Sequence, residues 1–277
     1  MAYRKKIYRS DNYIEYEIRH KGKYGAKGEK RAPRKKATPE QIKNQNLRNK
    51  INRIRRTLQL NFYPNDIWLT IKYPKGTRKS LEEVKKDVAK FQNKLRDDYK
   101  KRGEKLKWIR RIEIGKNGGL HIHYVINRIY GAELLIQKNW PEGFVHYTNI
   151  REEGGMAALA EYVAKPIPEE VKQMKFDFIE DEDIKRCMDV QTSRNLKRPE
   201  PEVKTYKKRT VRKMIEGDIR ATPGFYIDKD SISYGINPIT GYSYLTYREI
   251  KLKPITRTIK PPGQLKQSAG RESEVII

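Results

Sequence analysis

The chain has one cysteine, four histidines and no apolar run approaching the roughly 18 residues that a membrane helix needs. A lone Cys187 closes no disulfide within the chain and excludes a Cys-based zinc site, which fits a reducing compartment. The N-terminus carries no apolar signal segment, so a soluble, intracellular protein with no membrane partner is expected. There is no GxxxxGK[ST] loop and no internal repeat, which argues against an ATP-driven helicase.

Positive charge is what the chain has in excess. Over 277 residues it carries 62 Lys and Arg against 35 Asp and Glu, a formal net charge of +27, and a polyanion is the natural partner. The excess is uneven: residues 1–60 hold 19 Lys and Arg against 5 Asp and Glu, a net +14. Tyr3, Tyr8, Tyr13, Tyr16 and Tyr24 are interleaved there, a pairing suited to phosphate contacts and stacking on unpaired bases, or else belonging to a solvated tail.

Periodicity and turn chemistry divide the chain into four parts. Residues 1–60 read as a basic N-terminal extension ending in a helix over 38–58. That helix opens on the capping box Thr38-Pro39-Glu40-Gln41, and Ile42, Leu47, Ile51, Ile54 and Leu58 form its apolar stripe. Arg48, Arg53, Arg55 and Arg56 lie largely off the stripe, open to DNA or to solvent. Residues 61–170 carry the order β, α, β, β, α, β, α: a strand at Ile67–Tyr73, a helix from Ser80 to Gly103, strands Trp108–Ile114 and Leu120–Asn127 joined by Gly115-Lys116-Asn117-Gly118-Gly119, a helix at Ala132–Asn139, a strand at Phe144–Ile150, and a helix from Gly154-Gly155 to Lys165. This describes an α+β domain, an antiparallel sheet with helices packed on it. Residues 171–250 read as a small accessory region, helical over 180–190 and ending in a β-hairpin over 224–250. Residues 251–277 read as a disordered tail.

The most specific feature is His121-Ile122-His123 within a strand. Alternation puts both imidazoles on one face, where two neutral rings can hold a divalent metal or serve as hydrogen-bonded structural histidines. With the hairpin centred near Asn117, Glu113 stands opposite His121 and shares the face of both rings. Two imidazoles and a carboxylate leave open positions, as a catalytic Mg²⁺ or Mn²⁺ site needs. His146, in the following strand, reads as structural or DNA-facing. On the last helix Tyr162 and Lys165 share a face beside a stripe of Met156, Leu159, Ala160 and Val163. A phenol titrates near about 10, so an attacking tyrosine needs a polarised phosphate or a neighbouring cation. Tyr-x-x-Lys also occurs at Tyr3, Tyr24 and Tyr226; the helix and its position after the hairpin single out Tyr162.

In order, the strand Ile67–Tyr73, the pair His121 and His123, and the helical Tyr162 and Lys165 resemble the three motifs of the HUH endonuclease superfamily. Its single-tyrosine replication initiators of rolling-circle plasmids and small single-stranded DNA phages are the nearest pattern, and Trp140-Pro141-Glu142-Gly143 is similar to that group too. The resemblance covers residues 64–170. It implies that His121, His123 and Glu113 hold Mg²⁺ or Mn²⁺, and that Tyr162 attacks the scissile phosphate with Lys165 stabilising. The products are a 5′-phosphotyrosine and a free 3′-OH that starts rolling-circle replication. It further implies single-stranded or origin DNA as substrate, a bacterial cytoplasm, and a host helicase and polymerase as partners. A relaxase or single-tyrosine transposase with the same site is the alternative within the enzyme class. A non-catalytic nucleic-acid-binding protein is the alternative outside it. A second nucleophile is not expected, although Tyr124 lies in the histidine strand.

Overall fold

A computed structural model describes residues 2–22, 35–77, 79–115, 119–151, 155–166, 189–217 and 219–261. Tyr24, the turn residues 116–118, Gly154, Cys187, most of the helix expected at 180–190 and the tail beyond 261 lie outside the described residues. In chain order the elements are β1 (Tyr3–Arg9), β2 (Tyr13–His20), α1 (Pro39–Asn61), β3 (Ile67–Lys72), α2 (Leu81–Lys101), β4 (Trp108–Ile114), β5 (Leu120–Ile126) and α3 (Ala132–Asn139). Then come β6 (Phe144–Asn149), α4 (Gly155–Ala164), β7 (Gln191–Thr192), β8 (Glu202–Tyr206), α5 (Lys208–Ile215), β9 (Phe225–Ile236) and β10 (Ser243–Lys251). The fold is α+β, with two five-stranded antiparallel sheets that belong to two compact units. No helix among the described residues is long and apolar enough to cross a membrane.

One unit comprises 61–196 with 256–277, and its sheet runs β6-β3-β5-β4-β7. Alternation decides what each face does. Ile67, Leu69 and Ile71 of β3, Ile112 and Ile114 of β4, and Ile122, Tyr124 and Ile126 of β5 point to one side. There they pack with Val84, Val88, Phe91, Leu95 and Tyr99 of α2 and with Leu135, Ile136 and Trp140 from α3 and its end. Helix α2 starts where the sequence says it should, because Ser80 and Glu83 cap each other reciprocally. The other face of the sheet is polar. Gly143 lets the chain approach the end of β3 closely, since a Cβ there would lie 2.2 Å from the Lys72 carbonyl oxygen. Asp66, fully buried at the start of β3, accepts from the Tyr63 and Arg128 backbone N–H groups (2.9 and 2.7 Å) and from Arg257 Nε and Nη2 (2.6 and 2.9 Å). Arg257 falls in the stretch read as a disordered tail, and this ion pair is why its part of the tail is ordered.

The other unit comprises 1–60 with 197–255, and its sheet runs β8-β1-β2-β10-β9. The stretch read as an extension thus pairs with strands from the accessory region, which corrects the picture of a solvated arm. Tyr3, Tyr13 and Tyr16 are buried rather than offered to bases: Tyr3 hydrogen-bonds Ser243 Oγ (2.6 Å), and Tyr16 stacks on Tyr247 with centroids 4.5 Å apart. The apolar stripe expected on α1 is buried only at Ile54 and Leu58, and Ile42 is exposed. Its Thr38 and Gln41 form the anticipated reciprocal cap.

Candidate active site

Cross-strand register assembles the polar face of the β3-β5-β4 sheet into rows. Glu113 of β4 stands directly opposite His121 of β5, and Lys72 of β3 flanks His121 on the other side. One row along, Arg111, His123, Thr70 and His146 follow one another across β4, β5, β3 and β6. This second row crosses four strands and draws its side chains from segments as distant in the chain as Thr70 and His146. Trp68 shares this face, its ring parallel to that of His123 at 5.4 Å.

Helix α4 supplies the remaining group. Its Tyr162 hydroxyl donates to Glu113 Oε2 (2.9 Å) and lies 3.3 Å from His123 Nε2, and Trp68 meets the phenol edge-on at 5.6 Å. Glu113 Oε2 is also 3.0 Å from His123 Nε2. Tyr162, Glu113 and His123 therefore form a closed triangle of polar contacts, with the phenol 40% exposed. Arg111, 2% exposed, fixes the helix over the sheet by donating from Nη1 to the carbonyls of Tyr162 (3.1 Å) and Val163 (3.0 Å), a cation on the last turn of a helix.

The electrostatics follow from these contacts. The hydrogen bond from His123 outweighs burial and, with that of Tyr162, holds the Glu113 carboxyl down at about 2. Burial, and then the Glu113 hydrogen bond and charge, push the Tyr162 phenol up to about 12. Burial, with Lys72 and His123 adding to it, pushes His121 below the ordinary imidazole value and favours its neutral form. At neutral pH the site thus pairs an ionised carboxylate with a neutral phenol that it restrains.

The donor types suit a hard divalent cation: His121 is neutral, Glu113 is ionised, and His123 has a reversible partner. Thr70 Oγ1 lies 3.0 Å from His123 Nδ1, and a hydroxyl donates or accepts equally well, so the ring presents either a proton or a lone pair at Nε2. Among the described residues no three His, Cys, Asp or Glu side chains are gathered as a ready metal cage. Glu113 is instead engaged with His123 and Tyr162, and the His121 and His123 rings stand 6.3 Å apart.

Residues 66–167 match the replication-associated protein family named for ORF2. The matched stretch includes Glu113, His121, His123, Tyr162 and Lys165 and contains no part of the 1–60 with 197–255 unit. No curated protein and no solved structure matches the chain.

Not every residue singled out from sequence comes to this cluster. Lys165 lies just beyond α4, exposed, with its backbone N–H on the Tyr162 carbonyl (3.3 Å) and no ion pair among the described residues. Tyr124 is on the opposite face, 1% exposed, and its hydroxyl accepts from Gln92 (3.1 Å), so it stands apart from the cluster. His146 is on the site face but exposed at the edge strand. Of the four arginines on α1, Arg48 and Arg53 are exposed, whereas Arg55 and Arg56 are turned onto Glu15 (2.8 and 2.6 Å), and Arg56 also onto Glu17 (2.6 Å). Sequence reading missed Trp68, Thr70 and Arg111. The parity of β3 and β4 carried that signal: these residues alternate with the apolar ones in strands read only for their buried face.

Proposed function

We propose that this chain is a rolling-circle replication initiator that nicks and rejoins single-stranded origin DNA through Tyr162. The observation that carries the reading is the triangle of Tyr162, Glu113 and His123 on a sheet face shared with His121. The match to a replication-associated family over the same residues supports it. In the reaction Tyr162 Oη attacks the phosphorus, the bond to the 3′ oxygen breaks, and the products are a 5′-phosphotyrosine and a 3′-OH. Attack by a free 3′-OH reverses the step and closes the strand.

Glu113 restrains the phenol while its charge is uncompensated, which keeps the nucleophile quiet in the absence of substrate. His121, His123 and Glu113 are the residues that would hold Mg²⁺ or Mn²⁺, which when bound supplies positive charge to the scissile phosphate and offsets the carboxylate. Arg111 holds the helix end that carries Tyr162, and Thr70 and Trp68 orient His123. Lys165, exposed beside the phenol's helix, is assigned to the phosphate. Nothing in this arrangement hydrolyses ATP, so strand separation and synthesis fall to a helicase and a polymerase of the host.

The test incubates the protein with 5′- and 3′-labelled single-stranded oligonucleotides tiling its own replicon, with Mn²⁺ or with EDTA. The expected result is a denaturation-resistant adduct on the downstream fragment that needs metal and disappears in Tyr162→Phe. Binding without cleavage of any segment would instead favour a non-catalytic nucleic-acid-binding protein. Mn²⁺ titration by calorimetry or spin resonance gives a readout separate from activity: H121A/H123A should lose the site. A relaxase or transposase would give the same adduct but would not sustain copying of a circle bearing the origin.

A further inference from the structure

The unit formed by 1–60 and 197–255 carries a concave surface that the nicking reading does not use. Two hollows of about 430 and 600 Å³ lie between α1 and one face of its sheet, and both are lined by Glu17, Arg19, His20 and Asn52, so they form one continuous groove. In the smaller hollow five of the ten lining residues are Lys or Arg and one is acidic.

Three observations set the chemistry of that groove. Arg4 of β1 stands directly opposite Arg19 of β2, and Tyr244 of β10 follows in the same row. Like charges facing each other across strands oppose folding, so this pair has no structural benefit of its own. Next, the acids in the groove are already engaged. Glu15 takes Arg55 and Arg56, and Glu17 takes Arg56, leaving Arg4, Lys6, Lys21 and Arg48 with no acidic partner among the described residues, while Arg19 reaches Glu17 only at 3.8 Å. Finally, α1 lines the groove with Gln41, Gln45, Arg48 and Asn52, one stripe at spacings of four, three and four residues. His20 stacks on Tyr242 in the same wall, with centroids 3.6 Å apart and planes 13° from parallel.

We propose that this groove binds single-stranded DNA, with Arg4, Arg19 and Arg48 on phosphates and the α1 amides on base edges. Guanidinium groups meet phosphates. Amides read exposed base edges, and paired rings offer a platform for stacking. A duplex keeps its rings stacked inside and its base edges in its own grooves, so an enclosed groove between a helix and a sheet favours the unpaired strand. Arg55 and Arg56 act here as positioning residues, neutralising Glu15 and Glu17 from within.

The test uses the full chain in a Tyr162→Phe background, so that binding is read without cleavage and a failed nicking hypothesis leaves the result intact. A labelled single-stranded oligonucleotide is titrated at stepped salt, with the same sequence as duplex and as RNA in competition. R4Q/R19Q/R48Q should flatten the dependence of log K on log salt by about 2, since each phosphate neutralised by a cation contributes about 0.7 to that slope on a single strand. Arg53→Gln, exposed on α1 but outside the groove, should leave the slope unchanged. The triple variant should melt no lower than its parent, since a like-charge row has been removed. The proposal is overturned if Arg53→Gln flattens the slope as much per charge as the groove variants do, or if duplex or RNA competes better than single-stranded DNA.

Discussion

The two sheets have equal strand numbers and the same antiparallel pairing, but they organise polar side chains in opposite ways. In the sheet of the family-matched unit, unlike groups converge: a phenol, a carboxylate and an imidazole meet within 3.3 Å of one another, with a second imidazole in the adjoining row. In the other sheet, like groups recur: Arg4 faces Arg19, and the acids are withdrawn into ion pairs with α1. Convergence of unlike groups makes a site where bonds can change, because each perturbs the proton affinity of the next. Repetition of one sign makes a surface that holds a polymer of the opposite sign.

Three perturbations sharpen that contrast. The largest effect falls on the buried carboxylate beneath the reactive sheet. Asp66→Ala strands Arg257 and removes the acceptor for two backbone amides, and is expected to cost about 3–5 kcal/mol. Amide hydrogen exchange should show protection lost in β3 and β5 with β1 and β2 less affected; uniform loss across both sheets would mean that the two units unfold as one. Next, Thr70→Val keeps the size of the side chain but removes the hydroxyl on His123 Nδ1, and should lower metal-dependent cleavage about 10–100-fold with little change in melting. Cleavage unchanged by Thr70→Val would separate His123 from any role that depends on its ring orientation.

The smallest effect is on pH, in the unit outside the family match. Burial pushes the Glu15 carboxyl up, but the Arg56 hydrogen bond and the charges of Arg55 and Arg56 outweigh it and leave it below the ordinary carboxylate value. Its folded form therefore binds a proton less readily than the unfolded chain. The stabilisation is complete above the ordinary carboxylate range and is lost as pH falls through the depressed folded value. Glu15→Gln should flatten this acid limb in urea melts; an unchanged acid limb would show that Glu15 is not its source.

The reactive sheet was far more legible in the sequence than the other one, and the reason is physical. Its core strands alternate apolar residues cleanly, as in Ile67, Leu69 and Ile71, and α2 announces itself through Ser80 and Glu83. The hairpin reading also puts Glu113 opposite His121, which is the register found. Strands β1 and β2 hide because their interior positions are charged. Lys5 is buried with its ammonium 4.4 Å from the Tyr16 ring centroid, and Glu15 is buried against arginines 40 and 41 residues away. Partners so remote leave no local pattern to read. For the same reason Arg257 could not be separated from its Pro- and Lys-rich surroundings, and Arg111 could not be told from a solvent-facing charge until α4 was seen above it.

The most direct test of the account is to map the covalent product. Wild-type protein is incubated with Mn²⁺ and single-stranded DNA spanning its nick site, digested with nuclease and protease, and examined by mass spectrometry. A nucleotide 5′-phosphate on the peptide containing Tyr162, absent with EDTA, is the predicted result. An adduct on a different tyrosine, or cleavage that leaves no adduct at all, would contradict it.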